Sequence, residues 1–194
     1  MGPSGVQASI LEEEMTYTGA ELAPHFILRK TSLRGSALIS FKGSCLVETE
    51  SLVDWEDRLV SDHIRAKKML HFLGEFFGLT LREGVLLQRR LVTMIKECIE
   101  SQLKNGERLF QKGDDLYSID DRKLNVSIVA PSGVSQLLHI GINIDPEGAP
   151  VPAIGLDQLG VDPDLLATQL TEKFLQEWKS VEWACTKVRV IHSS

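Results

Sequence analysis

The stretch Lys112–Ile144, KGDDLYSIDDRKLNVSIVAPSGVSQLLHIGINI, holds two alternating segments within hairpin reach of each other. In the first, Leu124, Val126 and Ile128 alternate with Lys123, Asn125 and Ser127. In the second, Leu138, Ile140, Ile142 and Ile144 alternate with His139, Gly141 and Asn143. Strand side chains change face with a period of two, so each segment reads as a strand with one apolar and one polar face. Pro131-Ser132-Gly133 supplies the turn residues between them. Burying the two apolar sets together requires odd residues to pair with odd, which brings Lys123, Asn125, His139 and Asn143 onto one patch. An ammonium with amide, hydroxyl and imidazole neighbours beside a bare glycine suits a negatively charged or carbonyl-bearing ligand. The same alternation also describes the solvated face of a half-exposed antiparallel sheet.

Working outward, the N-terminal half reads as a mixture of strands and helices. Residues 1–13 begin with Gly, Pro and Ser and end in an acidic run, the pattern of a flexible leader, leaving 14–194 as a single domain. His25-Phe-Ile-Leu-Arg and Ala37-Leu-Ile-Ser-Phe, separated by glycine-bearing turns, read as strands. Val53 to Asp57 reads as an acidic connection. Ala66, Met69, Leu70, Leu73, Phe76 and Phe77 recur at spacings of three and four, which predicts a helix capped by Ser61 or Asp62 and ended by Gly78. Leu87, Leu91, Met94, Ile95, Cys98 and Leu103 predict a second helix from about Glu83 to Asn105-Gly106.

Beyond the paired strands, the proline- and glycine-rich segment from Asp145 to Gly160 reads as a loop able to cover the patch. Asp162-Pro163 opens a third helix, with a capping residue followed by proline in the first turn. Leu166, Leu170, Phe174, Trp178 and Val181 are its apolar positions, and Thr186 to Ile191 reads as a last strand. Helices beside a mixed, largely antiparallel sheet make an α+β domain.

A chain of 194 residues is long enough to bury a sizeable core as one domain. Its formal net charge of −6 argues against unspecific binding to nucleic acid or an anionic membrane. No apolar run has the length of a membrane span, and no basic-then-apolar leader is present, so a cytoplasmic location is expected. Cys45, Cys98 and Cys185 are odd in number and widely spaced, which argues against a disulfide framework or a zinc knuckle.

Further chemistry is thinly represented. His71 and Glu75, four apart, could pair on a helix to hold a metal, but no third ligand accompanies them. Asp54, Glu56 and Asp57 read as solvated surface charge or a weak cation site. Arg89-Arg90 reads as outward-facing charge or a phosphate contact. Ser132 and Ser135 lack the Gly-x-Ser-x-Gly setting of a nucleophilic serine.

The run from Arg108 to Ile144 resembles the core segment of biotin and lipoate protein ligases and lipoyl-type acyltransferases. There, a Gly-x-Asp-Leu turn leads into an Arg/Lys-Lys-Ile/Leu strand. Gly113-Asp114-Asp115-Leu116 and Arg122-Lys123-Leu124 carry the likeness, and His139-Ile-Gly-Ile-Asn143-Ile resembles the strand that follows. The whole chain, through Tyr17-Thr-Gly, Met69-Leu-His-Phe, Leu87-Gln-Arg, Gly113-Asp-Asp-Leu and Lys123-Leu, is identified as a member of the family described as domain of unknown function 366. That family is grouped by fold with biotin ligases and class II aminoacyl-tRNA synthetases.

The resemblance implies a role for Lys123 at the acyl carbonyl and phosphate of an acyl-adenylate. It implies that Asp115 and Asn143 help to place the nucleotide or its Mg²⁺. With Asp114 of the turn, the patch residues Asn125, Ser127, His139 and Gly141, and Arg89 as a phosphate contact, these form the expected ligand set, with ATP and Mg²⁺ as expected cofactors and a small carboxylic acid and an acceptor protein as expected partners. The Gly-Arg-Gly-Arg-Arg-Gly loop of biotin ligases and the Arg-Arg-x-x-Gly-Gly-Gly loop of lipoate ligases are absent here. Val151-Pro-Ala-Ile-Gly stands where octanoyl transferases place a cysteine. Three readings remain at this level: an acyl-activating or acyl-transferring enzyme, a nucleotide- or small-acid-binding protein without turnover, and an interaction subunit that offers a sheet edge.

Overall fold

The computed structural model describes residues 5–59, 63–104 and 106–191, with the side chains of residues 56 and 57 left aside. In chain order the elements are β1 (Gln7–Ile10), α1 (Phe26–Thr31), β2 (Ala37–Val47), a 3-10 turn (Thr49–Ser51), α2 (Trp55–Leu59), β3 (Ile64–Phe77), α3 (Leu81–Gln102), β4 (Phe110–Lys112), β5 (Asp115–Tyr117), β6 (Asn125–Pro131), β7 (Ser135–Asp145), α4 (Leu156–Leu159) and α5 (Pro163–Thr186). Five strands form one sheet in the order β1-β2-β3-β7-β6, and β4 with β5 makes a separate small hairpin. Only the β1–β2 pair is parallel; the rest of the large sheet is antiparallel. This is the mixed, largely antiparallel α+β architecture expected from the sequence.

The two faces of the sheet bury different cores. On one, Leu70 and Phe72 of β3 and Leu138, Ile140 and Ile142 of β7 pack with Leu91, Val92 and Ile95 of α3 and Leu166, Leu170 and Phe174 of α5. On the other, Ile39 and Phe41 of β2 and Met69 and Leu73 of β3 pack with Tyr17, Ile27 and Leu52. Both long helices start as their sequences direct. Thr80 accepts from the Glu83 N–H while the Glu83 carboxylate accepts from the Thr80 N–H, closing a capping box on α3. Asp162 accepts from the N–H groups of Asp164 and Leu165 ahead of Pro163 in α5.

Several sequence expectations are corrected. The segment expected as a first helix is β3, the central strand. Every residue from Met69 to Phe76 is buried, because this strand is covered on both faces. A strand buried on both sides is apolar without alternation, so its spacing mimics a helical stripe. His71 and Glu75 therefore lie on one face of a strand. Glu75 accepts from the His25 N–H and the Ser135 hydroxyl. The caps expected at Ser61 and Asp62, and Asn105 of the expected helix stop, lie outside the described residues.

His25-Phe-Ile-Leu-Arg is a short helix, not a strand; the buried Glu75 carboxylate holds its first turn and only Ile27 is buried. Part of the expected leader is sheet, since β1 adds to β2 while Val6 and Ala8 pack against the helix-side core. Val53 to Asp57 runs into α2. At the C-terminal end, α5 continues to Thr186 into the expected last strand, and Val188, Val190 and Ile191 are exposed without a partner strand among the described residues.

The register of the β6–β7 hairpin is also corrected. Asn125 faces Ile142, Val126 faces Gly141 and Ile128 faces His139, so odd residues pair with even. The turn decides this. Ser132 N–H donates to the Ser135 carbonyl across a two-residue loop, Gly133-Val134, with Gly133 at φ +84°, a conformation that favours glycine. That closure fixes every cross-strand pair below it. Val126 and Ile128 thus share a face with His139 and Gly141, while Asn125 and Ser127 turn toward α3.

Candidate functional site

A cavity of about 330 Å³ opens on the sheet face opposite the long helices. Its apolar wall includes Leu52, Ala66, Met69, Val126 and Ile128, and its polar lining includes Tyr17, Arg65, Asp115, Lys123, His139 and Asn143. Lys123 stands at a backbone junction just ahead of β6. Its N–H donates to the Pro152 carbonyl and its carbonyl accepts from the Ile154 N–H, so the segment after β7 folds back to fix it. The Lys123 ammonium lies 3.0 Å from the Asp115 carboxylate, and both side chains keep between a quarter and a third of their surface exposed.

The residues expected as ligands divide into two groups. Asn125 accepts from the Leu116 N–H at 2.6 Å and donates to the Asp114 carbonyl at 2.9 Å. The Asp114 carboxylate accepts from Gln88 of α3 at 2.9 Å and from the Ser127 hydroxyl at 2.8 Å. Asp114, Asn125 and Ser127 reach the cavity margin, but their polar atoms, with Gln88, form a bracket that holds the Asp114-Asp115 turn against the sheet and so aims Asp115 at Lys123. Asn143 works the same way from β7, donating to the carbonyls of Lys123 at 3.3 Å and Ile154 at 3.2 Å. Gly141 lies under Met69, where a Cβ would come within 2.9 Å of the Met69 methyl, and is not part of the lining. Arg89 is exposed on α3 near Gly113, outside the cavity.

Because Asn125 is buried and serves both as donor and as acceptor, Asn125→Ala leaves the buried Leu116 N–H without its acceptor and the Asp114 carbonyl with the Ser127 hydroxyl as its remaining donor. The expected cost is about 1–3 kcal/mol, read as a lower midpoint in urea unfolding.

Beneath the cavity sit two imidazoles. His71 Nδ1 and His139 Nε2 are 3.0 Å apart, and His71 Nε2 lies 3.3 Å from the Gly43 carbonyl. Tyr17 stacks on the His139 ring at 3.7 Å between centroids and 11° between planes. Burial pushes His71 down to about 4, against the pull of the Gly43 and Ser44 backbone, and burial followed by the His71 charge lowers His139 well below the ordinary histidine range. Both rings are neutral at pH 7. Burial pushes the Cys45 thiol up to about 12, so it is no thiolate nucleophile.

Tyr17, Arg65 and Met69 are site residues that the sequence does not single out. Arg65 carries no signal, the helical spacing read over β3 hides the role of Met69, and Tyr17 and Met69 are marked only by their places in the Tyr17-Thr-Gly and Met69-Leu-His-Phe likenesses. Among the described residues no group of three His, Cys, Asp or Glu side chains is placed to hold a metal, and no helix is long and apolar enough to cross a membrane. Asp54 lines the cavity, while the side chains of Glu56 and Asp57 lie outside those described.

A mixed sheet backed by two long helices, with a lysine at the mouth of a half-apolar cavity on its other face, defines a protein of the biotin and lipoate protein ligase fold. The biotin protein ligase of Leishmania major in complex with biotin superimposes with a TM-score of 0.56, covering 99% of this chain and 85% of the ligase at 14% identity. The chain belongs to the family described as Domain of unknown function (DUF366), whose profile matches residues 6–189. A protein of unknown function from Pyrococcus horikoshi superimposes with a TM-score of 0.89 at 31% identity, covering 96% of this chain and all of the other. The uncharacterized protein MJ0805 of Methanocaldococcus jannaschii is 31% identical over 179 residues, which is 89% of this chain and 79% of the relative.

Proposed function

We propose that the cavity binds a small carboxylic acid or its activated acyl form, in an acyl-activating or acyl-transferring protein with Lys123 as its electrostatic stabiliser. The observation that carries this reading is the Lys123 ammonium at the mouth of a cavity whose other wall is aliphatic. An ammonium in a partly dry site stabilises negative charge that develops on an acyl carbonyl or a phosphate, and the aliphatic wall accepts the acid's carbon skeleton. The fold neighbours support this choice of ligand: one solved ligase holds biotinyl-5-AMP and another biotin with ATP.

The donor set suits an adenylate better than a metal-bound triphosphate. Lys123 and Arg65 both line the cavity, enough positive charge for one phosphate. Of the carboxylates that line the cavity, Asp115 is committed to Lys123 and Asp114 to Gln88 and Ser127, and Asp54 joins no group of three His, Cys, Asp or Glu able to hold a metal among the described residues. The residues described do not fit Mg²⁺. An acceptor protein for the acyl group belongs to the same reading. The engagement of Asp114, Asn125 and Asn143 by backbone and neighbouring side chains also supports a second reading, a nucleotide- or small-acid-binding protein that has kept the fold without turnover.

A thermal-shift screen of the protein against biotin, lipoate, octanoate and their nonhydrolysable adenylates tests the proposal. A ligand at a hundred times its Kd stabilises the folded state by about 2.7 kcal/mol, a readily measured rise in Tm. An adenylate is expected to shift Tm more than its free acid. Equal Tm with every acid and adenylate, at concentrations that saturate weak sites, would overturn the reading.

A further inference from the structure

We propose that His139 Nδ1 is a bare lone-pair acceptor facing the cavity, with His71 as the residue that fixes its tautomer, and that the bound acid presents an O–H or N–H group to it. The ligand half of this inference rests on the acid-binding reading above; the tautomer half does not.

The chain of donors can be followed atom by atom. The Gly43 carbonyl can only accept, so the contact at 3.3 Å places the His71 proton on Nε2. A neutral imidazole carries one ring proton, which leaves His71 Nδ1 as an acceptor. His139 Nε2, 3.0 Å away, must then donate, and His139 Nδ1 is left without a proton. Burial keeps both rings neutral, which removes the competing imidazolium forms. The Tyr17 ring stacked on His139 fixes the plane in which the lone pair points.

Access follows from the same contacts. His139 lines the cavity, and its ring hydrogen bond among the described residues is the one to His71. Among the described residues His139 Nδ1 has no hydrogen bond and is not one of the fully enclosed unpaired side-chain atoms, which are Ser40 Oγ and Gln136 Oε1, so the cavity that His139 lines is its outlet. A ligand that covers this nitrogen with a methyl group desolvates it without return, whereas an O–H or N–H satisfies it. A carboxylate there would face a lone pair, so the acid end belongs at Lys123. The two groups thus differ in polarity and orient the acid: anion to the ammonium, donor to the imidazole.

Calorimetric titration with short ω-hydroxy acids, each matched to the methyl-terminated acid of the same length, tests the ligand half. At one chain length or more the hydroxy acid is expected to bind about tenfold tighter, a preference that His139→Phe erases. Equal or tighter binding of the methyl-terminated acid at every length would overturn it. Long-range ¹H–¹⁵N spectra of the wild-type protein test the tautomer half without any ligand. They are expected to show both rings in the Nε2–H form, with His71→Phe allowing His139 to populate both tautomers. A proton on His139 Nδ1 in the wild type overturns that half even if a variant fails to fold. If the spectra show the expected tautomers and no acid binds at any length, the acid-binding reading fails and takes the ligand half with it.

Discussion

Lys123→Ala is expected to lower acyl transfer, with the acid identified by the thermal-shift screen, by about 100-fold, as for removal of one donor to developing negative charge. The same variant should abolish the Tm shift produced by the adenylate. Stability itself should change little, because the Lys123–Asp115 pair is partly exposed and solvent screens such pairs to below about 1 kcal/mol. Asp115→Asn separates the two roles of this pair. If Asp115 mainly balances Lys123, neutralising it leaves the ammonium free for the ligand, and acid affinity should hold or rise. A loss of about that size in Lys123→Ala with unchanged urea unfolding supports the proposal. Full activity in Lys123→Ala would remove the lysine from the chemistry.

The second large effect is on stability against pH. His71 has its folded value pushed to about 4 from 6.5 by burial, and His139 is lowered in the same sense. A histidine that must stay neutral when folded binds its proton more readily when unfolded, so stability falls as pH falls. The contribution is fully present above about pH 6.5 and is lost progressively toward pH 4, the window set by His71. A shift of that size corresponds to about 3 kcal/mol for His71 alone. Urea unfolding of the wild type at a series of pH values should show this slope before the carboxylates titrate. His71→Phe, which keeps a ring beside Phe41 and Tyr17, should flatten it. An unchanged slope in that variant would mean that the buried pair is not the source.

How much of the fold and site is legible in the chain depends on burial geometry. The cap at Asp162 with Pro163 is a local signal, and α3 and α5 stand where their apolar stripes place them. The Gly113-Asp114-Asp115-Leu116 turn and Lys123 stand out because paired aspartates after a glycine, and a lysine at a strand head, interrupt the apolar alternation around them. β3 is hidden, because burial on both faces erases the alternation that marks a strand. The hairpin register is hidden too, since hydrophobic pattern favours one pairing and turn closure imposes the other. That conflict is resolved because Asn125 and Ser127, turned toward the helices, find partners in Asp114, Leu116 and Gln88. His71 and His139 lie far apart in sequence, and only the β3–β7 pairing brings them together.

The two-residue loop Gly133-Val134 acts on the cavity as a parity rule. A one-residue insertion or deletion that kept a two-residue turn would exchange the faces of β6, sending Val126 and Ile128 toward the helices and carrying the Asn125–Ser127 bracket into the ligand space. Adding or removing two would restore the original assignment with the pairs slid along the strand. A relative with an odd change in this loop keeps the same cavity only if the turn itself absorbs the extra residue, for example as a three-residue loop with a bulge.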